Sequence, residues 1–404
     1  MIGLFYTPYM YLFTIGSLRK MDPALEESAR VAGCGVLATT LRVTLPLALP
    51  GILFGFSLTL ITSAGFFGVP AALGLPAKVD VLATLIYETV EQETPDFNMA
   101  ATFAMIIFAL TILTLVVQRK VILPREFTTV TGRGYRPAII KLGRWRYVAF
   151  AYNLCYLVAA VGLPLTALLL VSVSENWYGS FDPSLLTLEN YRWVLFGFPL
   201  TKNAIGNSLF LALVGATLAI LLAFVLATII YRTKAPARGA VDFLASFPIG
   251  VPGIVIAMGI LVAYIRTPVY ATIWILVLAY VTRFLPVGLK SVSAVMLAIG
   301  PELEESSRVC GASWLRTAWS ISLPLMKSGF LAGWLILFLI FMRELNTSIL
   351  LFSAGTEVMS VALYILLEDS PPVHVAAYAM VQTLILLGVV LVVRKVAGAR
   401  EMAA

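Results

Sequence analysis

Glu305-Ser306-Ser307-Arg308-Val309-Cys310-Gly311, nine further residues, then Ile321-Ser322-Leu323-Pro324: this stretch decides how the chain is read. The same arrangement stands at Glu27-Ser28-Ala29-Arg30-Val31-Ala32-Gly33, nine residues, then Val43-Thr44-Leu45-Pro46. The two copies are offset by 278 residues. The same offset relates Pro8 to Pro286, Pro23 to Pro301, Gly51 to Gly329 and Gly55 to Gly333. A period of that length is too long for a solenoid and indicates a duplicated domain. Each copy lies between apolar runs long enough to cross a bilayer, so each reads as a polar island returned to water between two membrane helices.

Composition places the whole chain in the same class. Hydrophobic residues make up 60% of the 404, charged residues 12%, and the mean hydropathy is +0.95. These values describe an integral membrane protein, and its long apolar runs read as membrane helices, an all-α fold. The net charge of +7 is no sign of nucleic-acid binding, because membrane proteins gather Lys and Arg in their cytoplasmic loops. Cys34, Cys155 and Cys310 lack C-x-x-C spacing, and His374 is the single histidine. That excludes a multi-histidine metal site within the chain, and neither a cofactor nor a metal is expected.

Outward from the islands, nine membrane spans are expected. Ile2 to Leu18 ends in Arg19-Lys20 and reads as a span leaving at the cytoplasmic face. The first island (19–46) leads into a helix over about 47–69, whose Gly51-x-x-x-Gly55 permits close helix packing in lipid. Residues 69–98 carry Asp80, Glu88, Glu91, Glu93 and Asp96 against Lys78, as an outside loop would. Their apolar piece, Val79 to Tyr87, is too short to span and is expected along the surface. A span over 99–117 closes a first unit, residues 1–118. The stretch 119–146 holds eight Lys/Arg against Glu126 alone and reads as a basic cytoplasmic linker, suited also to anionic membrane lipid.

Six spans follow within 147–396, at about 147–173, 204–231, 242–265, 270–289, 327–352 and 373–394, with the second island at 290–324. Trp177, Tyr178, Tyr191 and Trp193 suit an interfacial belt. Pro248 and Pro252 must kink or unwind the third of these spans, which makes them candidates for a gate or pathway. Six crossings between the islands put both on the cytoplasmic side. The repeat is therefore parallel, which counts against secondary transporters built from inverted repeats.

Arg343-Glu344 lies inside the run 327–352, about 22 Å along a helix counted from Ser328. Ionisable groups at that depth must face protein or water. Thr347 and Ser348 at i+4, with Asn346 beside them, are the expected partners. The strip reads either as a structural ion network or as part of a substrate pathway. The matching first-half residues are Gly65 and Phe66, so the feature is asymmetric. Gly33-x-Gly35-x-x-Ala38 fits a loose dinucleotide fingerprint but lacks the preceding strand that motif needs. No P-loop sequence is present, and no catalytic constellation is visible.

The island pattern resembles the EAA loop of ABC importer permeases, E-A-A-x3-G-x9-I-x-L-P, twice in register. Glu302-Leu-Glu-Glu-Ser-Ser-Arg-Val-Cys-Gly311, Phe341-Met-Arg-Glu-Leu-Asn-Thr-Ser-Ile-Leu-Leu351, Gly355-Thr-Glu-Val-Met-Ser-Val-Ala-Leu-Tyr364 and Gly132-Arg-Gly-Tyr-Arg-Pro137 resemble the fused iron(III) permease family most. The resemblance implies a type I permease fold in a prokaryotic plasma (inner) membrane. It implies two ATP-binding cassette ATPase subunits docked on the islands, and a periplasmic or lipid-anchored substrate-binding protein. ATP hydrolysis then belongs to the separate ATPase, and this chain is not itself an enzyme. Glu27, Ser28, Ala29, Gly33, Pro46, Glu305, Ser306, Ser307, Gly311 and Pro324 are the implied coupling residues. Their types suit docking, since small side chains permit close approach, glycine the sharp turn, and proline the entry to the next helix. Ferric iron is the implied substrate, with thiamine, polyamine or phosphonate as alternatives in the same class and a secondary transporter as the rival class. The family's first half has six spans, whereas three are visible here. The natural protein is therefore expected to begin about 130–160 residues before Met1.

Overall fold

The structure is a computed structural model that describes residues 2–19, 21–122, 143–179, 182–300 and 302–401. Of the basic stretch 119–146 expected to link two halves, residues 123–142 lie outside the described residues, while its two ends belong to the helices Phe97–Ile122 and Trp145–Leu157. Helices account for the architecture. The one β-type contact among the described residues is an isolated bridge between Ser174 and Leu186.

Helix α1 (Ile2–Arg19) leads to α2 (Pro23–Val31), which Asp22 caps by accepting from the Ala24 N–H at 2.9 Å, with Pro23 at the first turn. Pro supplies a preset φ where its missing N–H costs nothing. A glycine turn follows. Then α3 (Val36–Thr39) runs through a π turn (Thr40–Thr44) directly into α4 (Leu45–Ala64). Short α5 (Leu82–Glu91) and long α6 (Phe97–Ile122) complete this part. Next come α7 (Trp145–Leu157) and α8 (Leu163–Ser172), joined by a π turn, and one-turn α9 (Glu189–Arg192). Then α10 (Leu200–Phe210) and α11 (Ala216–Arg232) form one long rod. They are followed by α12 (Arg238–Ser246), α13 (Gly253–Tyr264) and α14 (Ile273–Ala298). The chain closes with α15 (Glu302–Val309), α16 (Trp314–Thr317), α17 (Leu323–Met342), α18 (Met359–Asp369) and α19 (Pro372–Glu401).

The 278-residue offset recurs in the backbone. Val36–Thr39, the π turn Thr40–Thr44 and Leu45–Ala64 match Trp314–Thr317, the π turn Ala318–Ser322 and Leu323–Met342, boundary for boundary. Packing repeats as well. A Cβ on Gly51 would meet Ser17 Cβ at 2.6 Å, and one on Gly329 would collide with Val295, the offset equivalent of Ser17. One turn on, Gly55 faces Phe13 and Gly333 faces Ser291, again at matching positions. Small residues let α4 close on α1, and α17 on α14, where lipid offers no hydrophobic drive for association.

Six helices among the described residues are long and apolar enough to cross a membrane, and three bent pairs raise the number to nine. Helix α1 is not among the six. Tyr6, Thr7, Pro8, Tyr9 and Tyr11 dilute its apolarity, and it packs along α4. The expected surface position of Val79–Tyr87 is corrected: α5 buries Ala83, Thr84, Ile86 and Tyr87. Its Tyr87 ring lies 5.1 Å from Phe67 and 5.5 Å from Tyr364 of α18. An apolar face on a ten-residue helix is stabilised by protein when it is too short to match the bilayer. The preceding residues Pro70–Ala77 meet α5 at 79°, a sharp bend between two short helices.

Pro248 and Pro252 do more than kink. Residues Arg238–Gly250 and Gly253–Tyr264 meet at 111°. Pro252 lacks an N–H, and its φ/ψ of −57°/144° leaves the helical region, which ends one helix and starts another. A last correction concerns the expected span 327–352. Its helix stops at Met342, and residues 343–347 are irregular before a short 3-10 turn at Ser348–Leu350.

Candidate functional site

Two assemblies stand out: the paired loops at the start of α4 and α17, and a buried ion pair where those helices end. In each loop a glycine closes the first short helix with a left-handed backbone, φ +88° at Gly33 and +83° at Gly311. A Cβ at either position would meet no atom within 4 Å, so the demand for glycine comes from the dihedral and not from crowding. Glu27, Ser28, Glu305 and Ser306 are exposed, while Ala29 and Ser307 are half-buried. Ser307 shares a 2.9 Å hydrogen bond with Thr317 across the turn. Pro46 and Pro324 occupy the first turn of α4 and α17.

What braces each loop is the preceding glutamate, which the motif spacing alone does not single out. Thr44 donates to Glu26 Oε1 at 2.5 Å, and the offset-related Ser322 donates to Glu304 Oε1 at 3.1 Å. These bonds tie the first short helix to the π turn. They leave Glu27 and Glu305 pointing into water. Around them the loops present apolar side chains to solvent: Val31 and Val309 are 89% and 87% exposed, and Leu37 and Leu315 are 73% and 58% exposed. The exposed apolar groups thus stand at matching places in the two loops.

The second assembly corrects the reading of Arg343 and Glu344. The two residues part company at the end of α17. Arg343 is exposed and enters none of the ion pairs among the described residues, whereas Glu344 is buried. The partner of Glu344 is Arg283 of α14, whose Nη1 donates both to Glu344 Oε1 and to Thr347 Oγ1 (2.7 Å). The Thr347 N–H and Oγ1 also donate to that carboxylate oxygen, at 2.9 and 3.0 Å. The Glu344 carbonyl, freed by the end of the helix, accepts from Tyr280, Ser348 and Ser360. Irregular backbone at this depth persists only when protein satisfies it in this way.

The ion pair sits at the contact between the two parts of the chain. Asn346 Oδ1 accepts from the Phe67 N–H at 3.0 Å. The Pro252 ring presses on Gly65, and the Arg283 guanidinium covers Gly253 beside the helix break. Pro252 and Asn346 thus join the assembly, while Pro248 lies apart and lines an apolar groove between α6 and α13. Subtracting 278 from Arg283 and Glu344 gives Phe5 and Phe66, whose rings stack with centroids 5.5 Å apart. Charge joins residues 283 and 344, and an aromatic pair joins the offset-related residues 5 and 66. Among the described residues no three His, Cys, Asp or Glu side chains converge as a metal site would need.

A family model described as the binding-protein-dependent transport system inner membrane component matches residues 1–125 and 215–397. The chain belongs to that family. By that family's description it is an inner membrane component of a transport system, and among the described residues six helices are long and apolar enough to cross a membrane. Similar curated proteins include a ferric transport system permease protein of Actinobacillus pleuropneumoniae, 26% identical over 96% of this chain and 56% of that protein. A putative ferric transport system permease protein of Haemophilus influenzae is 27% identical over 88% of this chain and 56% of its own length. The chain thus spans little more than half the length of these relatives. Among solved structures, a bacterial ABC transporter involved in the import of the acidic polysaccharide alginate superposes with a TM-score of 0.51 at 18% identity. That match covers 63% of this chain and 95% of the transporter chain, and it shows a shared permease fold.

Proposed function

We propose that this permease carries two fused, parallel permease halves and works in a binding-protein-dependent ABC importer for ferric iron. The halves are residues 1–118 and 147–396, joined by the basic linker 119–146. The loops around Glu27–Pro46 and Glu305–Pro324 each dock one ATPase subunit. ATP-driven closure of the ATPases then moves α4 and α17 to switch access across the membrane. The observation that carries this reading is the duplicated loop. Its glutamate brace, left-handed glycine and exposed valine occur twice at one offset.

Both loops face the cytoplasm if the bent segment 238–264 crosses and 70–91 turns back, since six crossings then separate them. Ferric iron rests on the names of the ferric relatives; the chain itself offers no cage of hard oxygen ligands among the described residues. The choice of substrate then belongs to the binding protein. The test is uptake of radiolabelled ferric ion into proteoliposomes holding the permease and its ATPase, with and without the cognate binding protein. Uptake that needs ATP and binding protein supports the reading. Uptake of thiamine, a polyamine or a phosphonate in place of iron replaces the substrate. Uptake driven by a proton gradient without ATP overturns the class.

A further inference from the structure

Arg232, at the last turn of α11, has no role in the family motif, yet it joins its own helix to two others. Its Nη2 donates to the carbonyls of Met296 (2.8 Å) and Ile299 (2.7 Å) at the end of α14, where helix carbonyls run short of intrahelical donors. Its Nε faces Glu304 Oε1 of α15 at 3.5 Å, both side chains being 11% exposed. Through Glu304 the contact continues to Ser322 in the π turn that leads into α17. Nε has no hydrogen bond of its own. Beside the pair lies a cavity of about 60 Å³ lined by Thr228, Arg308, Trp314 and Thr317 among others. The pair is thus close, desolvated on most sides and offset, with room next to it for the guanidinium to shift. The first loop has the corresponding Glu26–Thr44 brace, but Glu26 enters none of the ion pairs among the described residues.

We propose that Arg232 is a positioning residue that relays movement of the second docking loop to α11 and α14, with Glu304 as its contact on the loop. This rests on the reading that the loop docks an ATPase. Lysine would keep the charge but cannot hold two carbonyls and a carboxylate in one planar fork. Alanine would free α15 from both membrane helices while leaving the exposed docking residues in place.

The experiment uses the full chain with its ATPase and binding protein in lipid nanodiscs. ATP hydrolysis is measured with and without substrate-loaded binding protein, beside ATPase co-purification and thermal stability. Failure of the unaltered chain to retain the ATPase would overturn the docking reading itself. Given retention, Arg232→Ala and Glu304→Gln are expected to keep basal hydrolysis but to lose binding-protein stimulation by at least about fivefold, the lower end of ordinary coupling between sites. Arg232→Lys is expected to lose less. The exchanged pair Arg232→Glu with Glu304→Arg is expected to recover part of the stimulation. Should Arg232→Ala fail to fold, Arg232→Lys and Glu304→Gln carry the test. Unaltered stimulation in both overturns the proposal, as does an equal loss from Glu26→Gln in the first loop.

Discussion

Removing the Arg283 guanidinium while leaving Glu344 in place is the most demanding test of the buried junction. Glu344 is only 7% exposed, and the Arg283 side chain 16%. After Arg283→Met the carboxylate would keep its two bonds from Thr347 but lose its counter-charge. Breaking one side of a buried pair typically costs about 3–5 kcal/mol, because the remaining charge stays desolvated. Glu344→Gln strands the guanidinium instead and should cost a similar amount. The double variant removes both charges, and hydrophobic or neutral replacement of a whole buried pair is often close to neutral. Its loss is therefore expected to be no more than about half the sum of the two single losses, a coupling that a double-mutant cycle measures. The assay is unfolding in mixed detergent micelles followed by tryptophan fluorescence. Strict additivity, or a wild-type unfolding curve for Arg283→Met, would refute the assignment of Arg283 as partner. The repeat suggests a sharper variant: Arg283→Phe with Glu344→Phe copies the Phe5–Phe66 stack into the second half and should fold better than either single change.

Other expectations follow from the same geometry. Gly33→Leu with Gly311→Leu places side chains in left-handed backbone, at about 1–2 kcal/mol each, and should reduce ATPase co-purification while membrane insertion continues. Val31→Asp with Val309→Asp alters the most exposed apolar groups of both loops. ATPase binding should weaken by about 2 kcal/mol or more if these are central contacts, with detergent stability unchanged; normal binding would move the docking surface elsewhere. Gly329→Leu should lower folded yield sharply, because Val295 already occupies that space. If Glu344 faces the path in the open state, Glu344→Gln in proteoliposomes should reduce uptake by more than its loss of stability explains. Parallel loss of both would limit the pair to structure.

The offset of 278 is legible without coordinates, because a motif with fixed spacing and paired prolines and glycines leaves few alternatives. It brackets α2 to α4 and α15 to α17, and the glycine pairs mark α4 and α17 as helices that close on a neighbour, while the neighbours, α1 and α14, show only in the fold. The partner of Glu344 is not legible, since hydrogen bonding between residues 283 and 344 depends on tertiary packing and not on local period. A signal exists: Arg283 is a charge within an otherwise apolar run. The end of α17 at Met342 is also hidden, because Asn346 to Leu351 is apolar enough to extend the hydropathy of a span. Likewise the outward glutamates of the motif draw attention from Glu26 and Glu304, whose function as braces shows only when Thr44 and Ser322 fold back onto them.

The π turn at Thr40–Thr44 has a mechanical consequence. It does not interrupt the rod. Val36–Ala64 is one continuous helical body of 29 residues, roughly 43 Å long at the usual rise. One end lies in the Glu27–Pro46 loop, and the other stops against Pro252 and the Phe67–Asn346 contact. On the proposed docking of an ATPase at that loop, such a body would work as a lever arm whose fulcrum is the close crossing with α1 at Gly51 and Gly55. Those glycines lie nearer the middle than either tip, so a push at the loop reappears at the far end with comparable travel and opposite sense. A tilt of about 5° about that crossing displaces each tip by roughly 2 Å for an arm of that length. That is enough to break a 3.0 Å hydrogen bond to Asn346 without unwinding a single turn of helix.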